Sequence, residues 1–135
     1  MTFQEKKDLL GRYIILGRHL EDLKKERSDW RGRGESVTAN LNGMPKSGRL
    51  SDKVGDAASE IVKLDRTIER QMSLLAGLRT GIEKQISSVE DETLRRILYL
   101  KYIDGDTLEV IAEKMNYGYR HMIRLHKKAL DEVEI

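Results

Sequence analysis

No cysteine occurs in the 135-residue chain, which excludes disulfides, thiolate metal sites and cysteine nucleophiles and permits a reducing compartment. Proline occurs once and aromatic residues make up 5%, so helix breakers are few and the bulk that fills one thick core is scarce. Long apolar runs are missing as well. The longest stretch without a charged residue is Ser36–Pro45, far short of the ~20 apolar residues of a membrane span. Met1–Leu20 is dotted with charges and lacks the apolar centre of a signal peptide. These absences predict a soluble, cytoplasmic chain with no membrane partner.

Charge is abundant. Charged residues reach 36%, against roughly 25% in an average globular domain, and the 39% of hydrophobic residues suffices for long helices that each bury a stripe. Net charge is only +2 but unevenly placed: residues 1–50 carry 11 basic and 7 acidic side chains, 51–87 carry 6 and 6, and 88–135 carry 8 and 10. Inside the acidic last third, Gly118–Lys128 holds Arg120, Arg124, Lys127 and Lys128 with no carboxylate. A local basic stripe on a near-neutral chain suits a directed polyanion contact. The bland alternative is that these cations favour the dipole at a helix C-terminus, but Arg120 lies at the other end of the helix, where the dipole disfavours a cation.

The first helix is predicted over Phe3–Asp29. Leu9, Tyr13, Leu16, Leu20, Leu23 and Trp30 alternate steps of four and three, with Arg27 interrupting the seam. From 31 to 50 the pattern dissolves into Arg31-Gly32-Arg33-Gly34, Asn40-Leu41-Asn42-Gly43 and Pro45-Lys46-Ser47-Gly48, which predicts a connector. Ser51 can cap a second helix, with Asp52 in its first turn. Val54, Ile61, Ile68, Leu75, Ile82 and Val89 then recur through five consecutive seven-residue steps, with Ala57 or Ala58, Leu64, Met72, Leu78 and Ile86 between them. The pattern predicts a helix of ~50 Å and an antiparallel helical hairpin, a coiled coil, over residues 1–87. The shorter first helix would leave part of the second helix's seam uncovered, which predicts a homodimer through the hairpin.

Residues 88–135 predict a second domain of three helices. Ser88-Val89-Glu90-Asp91 has capping-box spacing. Leu94, Ile97, Leu98 and Tyr102 mark a helix ending at Asp104-Gly105. Thr107 caps a short helix over Leu108–Met115, Asn116-Tyr117-Gly118 forms a turn, and the last helix covers about Tyr119–Val133. The chain is therefore read as all-α.

Catalytic constellations are wanting. Gly43-Met44-Pro45-Lys46-Ser47-Gly48 has the outer glycine spacing of a phosphate-binding loop, but Arg49-Leu50 stand where Lys and Ser or Thr are required. His19, His121 and His126 show no ligand-pair spacing. No nucleophile–base pair can be named, and the expectation is no enzyme, no cofactor and no metal. What rises above a generic helical chain is Leu108–Lys128, a short helix, a three-residue turn and a helix with a basic N-terminal half. Ala112 is small where the two helices cross, while Ile111, Met115, Met122 and Leu125 fill the wedge. Tyr119, Arg120, His121 and Arg124 then point outward from the part of a recognition helix that enters a major groove, and Lys127 and Lys128 fall where backbone phosphate runs. Double-stranded DNA is the predicted partner.

At these residues a resemblance becomes visible. The run from Leu94 to Met115, Leu94-Arg95-Arg96-Ile97-Leu98-Tyr99-Leu100-Lys101-Tyr102 and then Gly105-Asp106-Thr107-Leu108-Glu109-Val110-Ile111-Ala112-Glu113-Lys114-Met115, resembles region 4 of sigma-70-type factors. Tyr117-Gly118-Tyr119-Arg120-His121-Met122-Ile123-Arg124-Leu125-His126-Lys127-Lys128-Ala129-Leu130 is similar to the ending of sigma-like proteins of phages and prophages of Gram-positive bacteria. Leu10-Gly11-Arg12-Tyr13, Ser36-Val37-Thr38 and Gly43-Met44-Pro45 look like the same group, which is similar to the RinA/ArpU-type late-gene regulators. The resemblance implies a transcription regulator acting late in a phage programme, with bacterial RNA polymerase as a further partner. The chain departs from the pattern at Gly118, where Ser or Thr usually caps the recognition helix, and at Asn116, which replaces the turn glycine. It also lacks a region-2-like segment, so a complete sigma factor is not expected. Two alternatives stand beside this expectation: a small terminase subunit, which usually places its DNA-binding module first, and a helical interaction protein that acts on polymerase without binding DNA.

Overall fold

The computed structural model describes the backbone of residues 1–40 and 48–135 and the side chains of residues 1–34 and 54–135. Among the described residues it is all-α, with five helices and no strand: α1 (Phe3–Asn40), α2 (Gly48–Ser87), α3 (Glu92–Tyr102), α4 (Leu108–Met115) and α5 (Tyr119–Glu132). The chain divides into two compact units, residues 18–74 and residues 1–17 with 75–135. The division does not fall at residue 88, because both the first turns of α1 and the last turns of α2 contribute apolar side chains to the core built by α3, α4 and α5.

In the unit of residues 18–74, Arg27 on α1 pairs with Asp65 on α2 at 2.9 Å, and a Cβ on Gly34 would lie 3.5 Å from the Cβ of Ala57. As α1 advances from 27 to 34, its partner on α2 recedes from 65 to 57, so the segments run in opposite directions. Leu20, Ala57, Leu64 and Ile68 are buried. Arg27 does not interrupt the stripe: it occupies a half-buried place on it and finds a carboxylate across from it. Met72, by contrast, is 50% exposed, and half-buried Gln71 takes the seam position expected of it.

Both long helices exceed their expected bounds. α1 continues eleven residues beyond Asp29, to Asn40. Gly32 and Gly34 lower helix propensity by about 1 kcal/mol each, but Arg33 stacks 4.6 Å over the Trp30 ring and the helix continues through both glycines. α2 begins at Gly48, so Ser51 lies inside the helix and is not its cap. Residues 41–47 of the expected connector, with Gly43 and the single proline, lie outside the described residues. With 38 residues in α1 and 40 in α2, the expected length mismatch disappears, and with it the ground for an uncovered seam.

The other unit is built around Leu10, Ile82, Ile86, Val89, Leu94, Ile97, Leu98, Tyr102, Ile111, Met122, Ala129 and Leu130. Asp91, three residues later than the expected Ser88, caps α3 by accepting from the Thr93 and Leu94 amides at 2.9 and 3.2 Å. Ser88 instead donates its hydroxyl to the Gln85 carbonyl at 2.6 Å. Gly105 turns the chain with φ +80, and a Cβ there would meet Ile14 Cδ1 at 3.3 Å, so both conformation and space favour glycine. Thr107 caps α4 as its sequence predicts, accepting from the Val110 amide at 3.3 Å.

The C-terminus of α5 is satisfied from the other end of the chain. Its last turn holds no basic residue, and Lys6 of α1 donates its ammonium to the carbonyls of Leu130 and Val133, both at 3.0 Å. A cation at that end also complements the helix dipole. Lys6→Met, which keeps the aliphatic stem, is expected to lower stability by about 1–2 kcal/mol, measured as an earlier midpoint in chemical denaturation. An unchanged midpoint would remove the capping role.

Candidate nucleic-acid interface

α4 and α5 meet through Ile111, Ala112 and Met122, all buried, with Met115 and Leu125 half-buried beside them. Small Ala112 lets the helices approach, and Met122 is fully enclosed. The turn between them depends on Asn116, which closes α4 in the left-handed conformation at φ 57, ψ 40. Its amide and that of Tyr117 return to the Glu113 and Ala112 carbonyls, at 3.3 and 2.9 Å. Among non-glycine residues asparagine enters this region most readily, which explains how it replaces the turn glycine. Gly118 occupies the α5 N-cap without a side-chain hydrogen bond.

All six residues expected to contact DNA are on the outside of α5. Tyr119, Arg120, His121, Arg124, Lys127 and Lys128 are each exposed. At 100° per residue, the inward face is set by the buried Met122, His126, Ala129 and Leu130. Arg124 then lies nearly opposite that face, with Arg120 and Lys127 on one side of it and His121 and Lys128 on the other. His121 is braced edge-on against Tyr117, with ring centroids 5.2 Å apart. None of Arg120, Arg124, Lys127 and Lys128 forms an ion pair or hydrogen bond with a described residue. Lys114 on α4 differs, being held by Asp106 at 2.7 Å.

Two features of this helix escaped the sequence. Ile123 is 43% exposed. At 100° per residue it lies as far from Met122 as from Arg124, which places it on the flank between the inner and outer faces, next to Arg120 and Lys127. His126 is 2% exposed and shares a 2.7 Å hydrogen bond between its Nε2 and the Tyr102 hydroxyl. Phe3 packs edge-on against the imidazole at 6.0 Å. Burial, reinforced by Lys101 and Lys7, pushes the His126 pKa down to about 4. Burial, then the charge of Asp8, pushes that of Tyr102 upward. The hydrogen bond therefore joins a neutral ring to a protonated hydroxyl at neutral pH, and it fastens α5 to α3 behind the exposed face.

A separate groove of about 530 Å³ runs beside α2 and α3, lined by Glu83, Ser87, Glu92, Arg95, Arg96 and Tyr99 along with Ile86. Two of its charged groups are engaged internally: Arg95 donates to the Val89 and Glu90 carbonyls, and Glu83 pairs with Arg79 at 2.8 Å. Among the described residues, no cluster of three His, Asp or Glu side chains is arranged to hold a metal ion, and no helix is long and apolar enough to cross a membrane. The outer face of α5 thus gathers four exposed cations, none of them paired with a described residue. No protein-family model, curated protein or solved structure matches the chain.

Proposed function

We propose that the chain is a DNA-binding transcription regulator of phage or prophage late genes, reading double-stranded DNA through α4, the Asn116–Gly118 turn and α5 as a sigma-region-4-like helix-turn-helix. The observation that carries this reading is the set of four unpaired cations, Arg120, Arg124, Lys127 and Lys128, on the outer face of a helix whose inner face is locked by Met122 and His126. Unpaired guanidinium groups can form bidentate contacts to guanine, whereas ammonium groups further along can neutralise phosphate. On this reading α1 and α2 form an antiparallel coiled coil that mediates self-association or contact with bacterial RNA polymerase, and the protein works in the cytoplasm of a bacterial host.

The roles of the cations separate in a binding titration against duplexes that the wild-type chain enriches from a random-sequence pool. Arg120→Ala or Arg124→Ala should cost about 1–3 kcal/mol on the selected duplex and relax base preference at one position. Lys127→Ala or Lys128→Ala should weaken all duplexes alike and flatten the salt dependence by about one unit per lost phosphate contact. All four residues are exposed, so the melting temperatures should stay close to wild type. Equal binding by wild type and the Arg120/Arg124 double variant, or no enrichment from the pool, would overturn the proposal.

A further inference from the structure

We propose that Ile123 reads the 5-methyl group of a thymine in the major groove, an inference that rests on the reading of α5 as a recognition helix. Ile123 is 43% exposed and Tyr119, one turn earlier, is 49% exposed. Together they form an exposed apolar edge on the flank of α5, between the inward face and Arg120 and Lys127. Ile123 is not among the side chains that pack against the buried core cluster. The inward face is already occupied by Met122, His126, Ala129 and Leu130. A β-branched residue also favours an exposed helical site less than Lys or Glu does.

The surroundings say which apolar group Ile123 would meet. A protein partner covers a patch whose centre is depleted of charge, yet Ile123 is bordered by Arg120, Arg124 and Lys127, none of them paired within the described residues. Those neighbours fit a polyanion. On the major-groove edge of duplex DNA, the apolar group offered by a base pair is the thymine methyl, and an aliphatic side chain is its natural complement. Ile123 would discriminate A·T from G·C pairs at one step while the flanking cations bind guanine and phosphate.

The test uses the full-length chain and duplexes enriched by the wild type from a random pool, each synthesised with thymidine and again with deoxyuridine, which lacks only the methyl. Removing one buried methyl corresponds to about fourfold in affinity. Wild type should lose about that factor on uracil-containing duplexes. Ile123→Ala should bind both versions alike, and Ile123→Val should retain most of the preference. Unchanged thermal melting of both variants would exclude a folding artefact. If wild type binds both versions equally, or if Ile123→Ala keeps the full preference, the methyl is not read by Ile123 and the inference fails while DNA binding stands. If wild type binds neither version, the recognition-helix reading fails as well.

Discussion

Met122→Ala is expected to destabilise the unit formed by residues 1–17 and 75–135 by about 2–5 kcal/mol, the range for truncating a fully buried methionine. Met122 is fully enclosed, and it packs in the cluster that contains Ile111, Ala112 and Ala129, so the void would open between α4 and α5. That loss is a large share of the ~5–15 kcal/mol by which ordinary domains are stable. Met122→Leu, nearly equal in volume, should cost less than about 1.5 kcal/mol. Denaturant melts followed by circular dichroism distinguish the two. A Met122→Ala midpoint matching that of Met122→Leu would mean that the α4–α5 contact is looser than described. On the proposed reading, DNA binding should fall with folding in Met122→Ala, whereas variants of the exposed α5 cations should lose binding with folding intact.

Acid should weaken the same unit through His126. In the folded chain its pKa is lowered to about 4 from the ordinary 6.5. Between those values the unfolded chain takes up a proton that the folded chain refuses, so stability decreases as pH falls. His126 stabilises the folded state fully above the unfolded value and progressively less as pH drops from 6.5 toward about 4. The contribution at stake is on the order of 3 kcal/mol. Two measurements check it. The imidazole resonances of His126 should remain neutral in character at pH 5, and His126→Phe should flatten the fall in stability between pH 7 and 4.5. A His126 ring that titrates in the folded chain near the ordinary histidine value would refute the prediction.

What could be read from the residues was written in short-range chemistry. Thr107 announced its helix because a hydroxyl three residues ahead of an amide is a local arrangement, and Asn116 announced its turn because few side chains tolerate that backbone. The outward set on α5 followed from helical spacing once Met122 was placed inside. Local chemistry was ambiguous at the start of α3, where Ser88 and Asp91 both suit a cap. The buried position of Val89, 1% exposed, ties the chain to the core before the helix begins and leaves Asp91 as cap. The end of α1 differs from expectation because glycine usually marks a break, yet the helix runs through Gly32 and Gly34 to Asn40. Lys6 and His126 were beyond reach of local patterns. Their partners are Leu130, Val133 and Tyr102, and no periodicity states which distant carbonyl an exposed-looking lysine will find.

The Lys6 contact also constrains the order in which this protein can be made. Lys6 and its farthest acceptor, Val133, are 127 positions apart, so the contact closes a loop of that length, and contacts of such separation form late and slowly. On the ribosome the first turns of α1 emerge well before the carbonyls they will cap, which follow more than 120 residues later. Until then Phe3 and Leu10, which help cover the core, have no α5 to rest on. The nascent chain therefore carries exposed apolar side chains until α5 has emerged, and the unit closes only then.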